Sequence, residues 1–208
     1  MGRPPNTDPA ITRDRILQAA VDLFGENGRE GAAIRAVARR AEVSMSTVLH
    51  HFRSKQGLFD ACVDAMFDEL DKHRHAMVHL AAGPGSSRET VDQLARQCFR
   101  FAQRHQRLLR VILSESVTTG RVPAGARARV VLPTLEQAAG FVSELSGQPP
   151  ASARLLVLSI CHIITRFVLT DPEELALSVA LAEPNGNGEL QQLIEDHVAK
   201  CATVLICD

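Results

Sequence analysis

The sequence predicts an all-α protein, with a small three-helix unit that contains a helix-turn-helix at its N-terminus and a larger helical domain after it. Apolar residues recur every three or four positions along most of the chain, which is the period of an amphipathic helix. Alternating apolar and polar runs, which are typical of strands, are almost missing. Hydrophobic residues make up 45% and charged residues 23% of the 208, which is a globular composition.

Four helices are predicted in the first 80 residues. Asp8 or Thr12 can cap the first helix, and Asn27-Gly28 is a typical end for it. Ser44 begins the third helix and Ser54 caps a long fourth one, which ends before Gly83. The predicted spans are residues 12–28, 33–41, 44–52 and 55–80.

The remainder of the chain is predicted to be helical as well. Pro133 is expected to kink its helix, and loops are expected at 120–125 and 184–188, where glycine and proline cluster. The last helix has an apolar face of Leu190, Leu193, Ile194, His197, Val198, Cys201 and Leu205. The predicted spans are residues 86–105, 106–116, 126–145, 151–169, a short piece after 172, and 189–206.

Charge and cysteine usage restrict the class of protein. Residues 1–56 hold nine Lys or Arg and six Asp or Glu, and the remainder holds fourteen and eighteen. A basic segment on an acidic body favours a protein that presents one end to phosphate. Five scattered cysteines, an odd number without a CxxC pair, favour a reducing cytoplasm over a disulfide framework.

Neither a signal peptide nor a membrane segment is expected. The first ten residues contain no apolar run. The most apolar window, residues 155–169, is interrupted by His162 and Arg166 and is shorter than a bilayer span. We therefore expect a buried helix there and no contact with a membrane.

Residues 34–55 have the layout of a helix-turn-helix, with basic residues on both sides of two short helices. Val43, Val48 and Phe52 share the side that would pack on the first two helices. The opposite side would then present short polar side chains and a methionine to base edges in the major groove, namely Met45, Ser46, Thr47 and His50. The alternative is an ordinary helical hairpin with a solvated charged face.

The same segment resembles the TetR family of transcriptional repressors. The family's pattern runs approximately T-T-v-r-x-I-A-x-x-A-G-V-S-x-g-t-l-Y-x-[HY]-F-x-[SN]-K and ends in a helix that begins e-x-L. The match covers about residues 12–60, including Ala19-Ala20, Phe24 and Gly28 upstream. The matching positions further along are Arg35, Ala38, Ala41, Val43, Ser44, Thr47, His51, Phe52, Ser54, Lys55 and Leu58. The resemblance implies double-stranded operator DNA as a partner. The expected DNA-binding residues are Arg35, Ser44, Met45, Ser46, Thr47, Leu49, His50, His51 and Lys55.

Three departures from the pattern affect DNA binding. Ala32-Ala33 replaces a pair of threonines, which removes a helix cap of about 1 kcal/mol and a phosphate contact. Glu42 replaces the turn glycine, where a left-handed backbone would cost about 1 kcal/mol. Leu49 replaces a tyrosine and lacks its hydroxyl group. We expect atypical affinity or operator sequence.

The resemblance also implies that residues 56–208 bind a small-molecule effector and form a homodimer, whereas residues 1–55 form an N-terminal arm and the DNA-binding domain. A four-helix bundle from the 151–169 helix and the last helix of two copies is the expected interface. The expected pocket residues lie on central helices, and for most of them plain core packing is the alternative: Phe67, Leu70, Met77, Phe99, Leu109, Ile112, Leu113, His162, Arg166 and Phe167.

The sequence also allows a metal site and a role for the N-terminal arm. His73, His75 and His79 form a cluster, and the spacing of the last two suits a metal, so the alternative function is a metal-responsive regulator. A solvated histidine face is the simpler interpretation. No catalytic residues and no cofactor are expected, since neither a Ser-His-Asp order nor a phosphate-binding glycine loop is present. Arg3 either enters a minor groove or lies in a disordered terminus.

Overall fold

The computed structural model describes residues 8–121, 127–180 and 187–207, and within them the chain is helical without strands, which confirms the all-α prediction. The described residues form two compact units. The first contains residues 8–68 and 107–121, and the second contains 69–106, 127–180 and 187–207. The functional boundary that we place after residue 55 stays a prediction.

The four N-terminal helices lie close to their predicted positions. Asp8 caps the first, because its carboxylate accepts a hydrogen bond of 2.9 Å from the Ala10 N–H. At Gly28 the backbone is not helical, with a φ of 68° and a ψ of 172°, so the helix is interrupted at its predicted end and a short helical stretch continues to Gly31. Ser54 caps the fourth helix through a bond of 3.0 Å from the Gly57 N–H. The helices are α1 Pro9–Gly31, α2 Ile34–Arg40, α3 Met45–Phe52 and α4 Lys55–Ala81.

Six more α-helices follow in the described residues. A π-helical segment, Arg127–Val131, comes directly before the helix that contains Pro133, so the expected irregularity there is a π-turn just ahead of the proline. The predicted loops at 120–125 and 184–188 fall mostly outside the described residues, and the last helix begins at Asn187 rather than 189. The helices are α5 Ser87–Arg104, α6 Gln106–Thr119, α7 Leu132–Ser146, α8 Pro150–Leu169, α9 Pro172–Ser178 and α10 Asn187–Cys207.

The core of the first unit holds the helix-turn-helix in place. α2 packs against α1 and α3, and the buried side chains come from all of these helices and from the start of α4. Phe24 and Phe59 meet edge to face with 5.4 Å between ring centroids. The large apolar side chains that are fully buried in this core include Ile16, Phe24, Val37, Val48, Leu58 and Phe59.

The second unit is built around the pair α5 and α10. α8 packs against α5, α7 and α10, and the residues buried between these helices include Phe99, Ala153 and Val198. Arg100 donates two hydrogen bonds, of 3.1 and 2.7 Å, to the buried carboxylate of Glu195. Arg96 adds a second cation 3.5 Å from the same carboxylate. The negative charge of Glu195 is therefore balanced by two arginines of the same unit.

Two expectations about the C-terminal helices are wrong for the chain by itself. α8 is not a buried helix, because only 17% of its most apolar window is buried and Leu155 is 66% exposed. The apolar face of α10 is divided, since Leu190 and Val198 are buried while Leu193 is 47% exposed. Periodicity identifies an apolar face but not the surface that covers it.

The window 155–169 also underestimates the length of α8. The helix has 20 residues with a mean hydropathy of 1.6, so by length and composition alone it is able to cross a membrane. Core helices of globular proteins meet the same condition, and His162 and Arg166 lie in its second half. This makes the helix weak evidence for a membrane segment.

Candidate nucleic-acid interface

The turn between α2 and α3 is a Schellman turn. The Val43 N–H donates to the Ala38 carbonyl at 2.9 Å, and the Glu42 N–H donates to the Arg39 carbonyl at 3.2 Å. Glu42 takes the left-handed position with a φ of 55°, where glycine is the preferred residue. The turn is thus formed without its glycine, and the strain that the sequence predicts at this residue is present.

Ser44 fixes the start of α3. Its hydroxyl oxygen accepts a bond of 3.0 Å from the Thr47 N–H, which satisfies one of the free donors at the helix N-terminus. The same oxygen lies 2.7 Å from the Ser46 hydroxyl and 2.8 Å from the Thr47 hydroxyl. Three small hydroxyl groups therefore form one hydrogen-bonded cluster at the tip of the helix.

The outer face of α3 has the composition expected of a groove-facing surface. Met45 is 47% exposed and Leu49 is 37% exposed, although both side chains are apolar. Ser46 and His50 are exposed on the same helix, whereas Thr47 and His51 are half-buried. Val48 and Phe52 are buried on the opposite side, as predicted. A face of this kind can offer donors, acceptors and a thioether to base edges.

The basic residues around the helix-turn-helix differ in what they already contact. Arg35 is exposed at the start of α2. Arg40 donates to both carboxylate oxygens of Glu26, at 3.1 and 3.3 Å, and these hydrogen bonds raise the pKa of Arg40. Lys55 donates to the Glu30 carbonyl oxygen at 3.0 Å. Of these three cations, Arg35 is the one whose guanidinium forms no ion pair with a described residue that would compete with a phosphate, and Lys55 also holds the end of α1.

The alanine pair before α2 has two different environments. Ala32 is 2% exposed, so a small apolar residue fits the core there. Ala33 occupies the N-cap position with an extended backbone, and no side-chain hydrogen bond caps the helix. The sequence predicts that α2 lacks a side-chain cap, and the structure agrees. The α2 N–H groups at this end therefore stay available to an anion.

A cavity of about 120 Å³ lies in the second unit, at one end of α5, α8 and α10. Of the ten expected pocket residues, Phe99 and Phe167 line it. His162 and Arg166 are exposed on α8 instead, because the apolar helix that carries them is itself largely uncovered. The cavity is lined by Phe99, Gln103, Gln106, Phe167, Val168, Thr170, Pro172, Leu175, Leu190, Gln191 and Ile194.

The remaining expected pocket residues are distributed over both units. Phe67 is buried and Leu70 and Met77 are half-buried along α4, while Leu109, Ile112 and Leu113 belong to α6 in the first unit. Sequence reasoning missed the polar lining residues of the cavity, since glutamines at helix ends have the same pattern as solvated ones. Pro172 is a sequence signal for a new helix after α8, but no sequence pattern places the glutamines beside it.

The histidine cluster on α4 does not converge on a common point. His73 stacks on Phe101 with 4.2 Å between ring centroids, whereas the His75 ring hydrogen-bonds to the Asp71 carbonyl at 2.8 Å. His79 is exposed. Throughout the part of the chain that the structure describes, no three His, Cys, Asp or Glu residues are grouped to hold a metal ion. The three histidines are therefore not grouped as metal ligands within the described chain, and the metal-responsive alternative stays a prediction. Arg3 lies outside the described residues.

Comparison with known proteins connects this geometry to a family. Residues 16–62, which include α2 and α3, match the family model described as bacterial regulatory proteins, tetR family. The chain is 28% identical over 107 residues to YttP of Bacillus subtilis (strain 168), a probable HTH-type transcriptional regulator, covering 50% of each chain. It is 44% identical over 62 residues to the HTH-type regulatory protein RaaS of Mycobacterium tuberculosis, covering 30% of this chain and 29% of RaaS. The match thus spans half or less of each relative.

Solved structures share the fold over nearly the whole chain. One is a putative TetR-family transcriptional regulator from Mesorhizobium loti MAFF303099, with a TM-score of 0.65 and 19% identity. The superposition covers 96% of this chain and 97% of the M. loti chain. A TetR-like transcriptional regulator from Rhodococcus sp. RHA1 gives a TM-score of 0.64 at 20% identity, with 96% of each chain covered. At these identities the likeness shows the fold alone. Residues 16–62 thus match the DNA-binding segment of TetR-family regulators, and the chain as a whole shares the fold of the solved members of that family.

Proposed function

We propose that this protein is a ligand-responsive transcriptional repressor of the cytoplasm, which binds a palindromic operator as a homodimer and is released by a small molecule. The observation that carries the proposal is the outer face of α3, where Met45, Ser46 and His50 are exposed on a helix whose inner face is buried. A short helix that is fixed by its own cap and by a packed partner helix suits insertion into the major groove.

The proposed contacts divide into those that read bases and those that position the protein. Met45, Ser46, Thr47 and His50 lie where base edges would be read, and a methionine suits a thymine methyl group. Arg35 and the uncapped N-terminus of α2 suit phosphates, which carry no sequence information. Leu49 offers only apolar contact in place of a hydroxyl group. The proposal therefore predicts sequence-specific binding with one phosphate contact fewer than the family pattern provides.

The proposed dimer uses the uncovered faces of α8 and α10. Leu155 and Leu158 on α8, and Leu193, Val204 and Leu205 on α10, are between 36% and 66% exposed, and they belong to helices that pack against each other within the second unit. Apolar surface of this kind is stabilised when a second copy covers it. Two copies related by a two-fold axis would place their α3 helices about 34 Å apart on successive turns of DNA.

Release by a ligand requires that the ligand binds one spacing of the two α3 helices better than another. α4 is one continuous helix of 27 residues that begins beside the helix-turn-helix and ends in the second unit. We propose that it transmits the change, because a small tilt of a rigid rod moves its far end appreciably. A ligand without such a preference would leave DNA binding unchanged.

The test compares three variants in a binding assay over a range of salt concentrations. His50→Ala is expected to lower the preference for operator over random duplex by about 1–3 kcal/mol, with little change in salt dependence. Arg35→Ala is expected to weaken binding to both duplexes alike and to reduce the slope of log K against log salt by about 1. His75→Ala, on an exposed face of α4, is the control. If all three variants bind like the wild-type protein, the placement of α3 in the groove is wrong.

A further inference from the structure

The cavity of the second unit has an apolar body. Phe99 is 1% exposed, Leu190 is 3% exposed and Val168 is 5% exposed. Phe167 also lines the cavity, and its ring meets His197 of α10 edge to face. Thr170 and Pro172 bring the chain around the end of α8 and into α9, so that Leu175 of this short helix adds a further wall. The cavity is thus formed by a folded-back turn rather than by the interior of a single helix pair.

Its polar groups are neutral. Three glutamine amides and one threonine hydroxyl group line the cavity, and no ionisable side chain is among its lining residues. The Gln106 amide donates to the Val168 carbonyl at 2.5 Å, and the Thr170 hydroxyl donates to the Arg166 carbonyl at 2.7 Å. Gln103 forms no side-chain hydrogen bond with any described residue. Its amide therefore has both a donor and an acceptor to offer to a bound molecule.

We propose that this cavity is the effector site, and that it takes a small uncharged molecule with an amide, carbonyl or hydroxyl group. The inference rests on the proposed function, since it names the class of its ligand. A carboxylate or ammonium group would lose its hydration here without meeting a charge of opposite sign, which is costly in an apolar site. A neutral polar group loses much less and can pair with the Gln103 amide.

The volume of the cavity limits the size of the ligand group that it can enclose. An apolar cavity of about 150 Å³ is large enough to hold benzene, with six non-hydrogen atoms. At about 120 Å³, this cavity suits a group of similar or slightly smaller size. Butyramide and butyrate each have six non-hydrogen atoms and nearly the same shape, and only butyrate carries a charge. They form a matched pair of probes for the neutrality of the site.

The experiment measures the thermal unfolding midpoint of the full-length protein with either probe at millimolar concentrations, at neutral pH and equal ionic strength. Butyramide is expected to raise the midpoint by about 2–4 °C at a concentration ten times its Kd, and butyrate by less than a quarter of that. In Gln103→Leu the butyramide shift is expected to disappear. In the control Gln192→Leu, an exposed glutamine outside the cavity, the shift is expected to remain.

Three results would overturn the inference: no shift with butyramide, an equal or larger shift with butyrate, or an unchanged shift in Gln103→Leu. The same protein is then tested for binding to an operator selected from random duplex DNA. Operator binding without a butyramide shift would leave the proposed function standing and remove this assignment of its ligand. A butyramide shift without operator binding would keep the site and contradict its role in gene regulation.

Discussion

At the residue scale, the turn of the helix-turn-helix contains a glutamate where the backbone is left-handed. Glu42 has a φ of 55° and an exposed side chain, so its Cβ is the source of strain rather than any lost contact. We predict that Glu42→Gly raises the free energy of unfolding by about 1 kcal/mol, measured by urea denaturation.

The matched control for this variant is Glu42→Ala, which removes the same charge and keeps the Cβ. Alanine at a positive φ retains the strain, so its stability should stay within about 0.5 kcal/mol of the wild-type protein. Equal stabilisation by both substitutions would attribute the effect to the carboxylate and contradict the backbone explanation.

The environment of His73 makes the stability of the protein depend on pH. Desolvation, together with the charges of Arg104 and His105, lowers its pKa to about 4, and its Nε2 atom is buried without a hydrogen-bond partner among the described residues. The unfolded chain has an ordinary histidine pKa near 6.5 and binds the proton first as pH falls. Stability contributed by neutral His73 is therefore complete above about pH 6.5 and is lost as pH falls toward 4.

We predict a decrease in the free energy of unfolding of roughly 1 kcal/mol between pH 7 and pH 5 from this residue, allowing for partial solvent screening. The measurement is urea unfolding across that range, where the carboxylates with lowered pKa values, such as Glu69 and Asp71, stay ionised. His73→Gln should flatten the slope, and His75→Gln, at an exposed site, should keep it. A slope that is the same in both variants would contradict this role for His73.

At the element scale, α3 is short enough that its cap matters. With eight residues, it has few internal hydrogen bonds, and Ser44 satisfies one of the free N–H groups at its start. We predict that Ser44→Ala lowers the free energy of unfolding by about 1 kcal/mol and that Ser46→Ala, which caps nothing, lowers it by less than half as much. The measurement is chemical denaturation of both variants. Equal losses would mean that the hydroxyl cluster, and not the cap, stabilises the helix.

Most of the helices are predictable from the sequence, because the hydrogen bonds that begin them join residues that are close together in the chain. Asp8, Ser44 and the capping box of Ser86 and Glu89 begin their helices by hydrogen bonds within three residues, so a short stretch of sequence determines them. Glu42 is predictable as strained for the same reason. Such features need no knowledge of the rest of the fold.

The burial of α8 and α10 and the lining of the cavity depend on which helix surfaces meet, and the sequence pattern does not contain that information. The apolar face of α10 is divided between a covered half at Leu190 and Val198 and an exposed half at Leu193. His162 and Arg166 suggest a polar lining in a buried helix, yet α8 is mainly uncovered in the single chain. The cavity is lined by Gln103 and Gln106, whose positions are brought together with α9 only by the chain reversal after Leu169.

At the scale of the whole molecule, the uncovered faces of α8 and α10 are the main unexplained apolar surface in the second unit. We predict that Leu155→Glu and Leu193→Glu, which place a charge in the proposed dimer interface, convert the protein to a monomer in sedimentation experiments and abolish binding to a palindrome. Leu177→Glu is the control, since this leucine of α9 is 75% exposed outside those faces. A wild-type monomer, or variants that remain dimers, would contradict this interface.

In the proposed function, two copies of α3 read a palindrome. The most direct test is selection of the purified protein against random duplex DNA at about 0.15 M salt, where binding to phosphates alone is weakened. We predict an enriched palindrome whose half-sites lie one helical turn apart, and His50→Ala should change the base preferences within each half-site. Absence of any enriched sequence, or an enriched site that His50→Ala leaves unchanged, would contradict the claim.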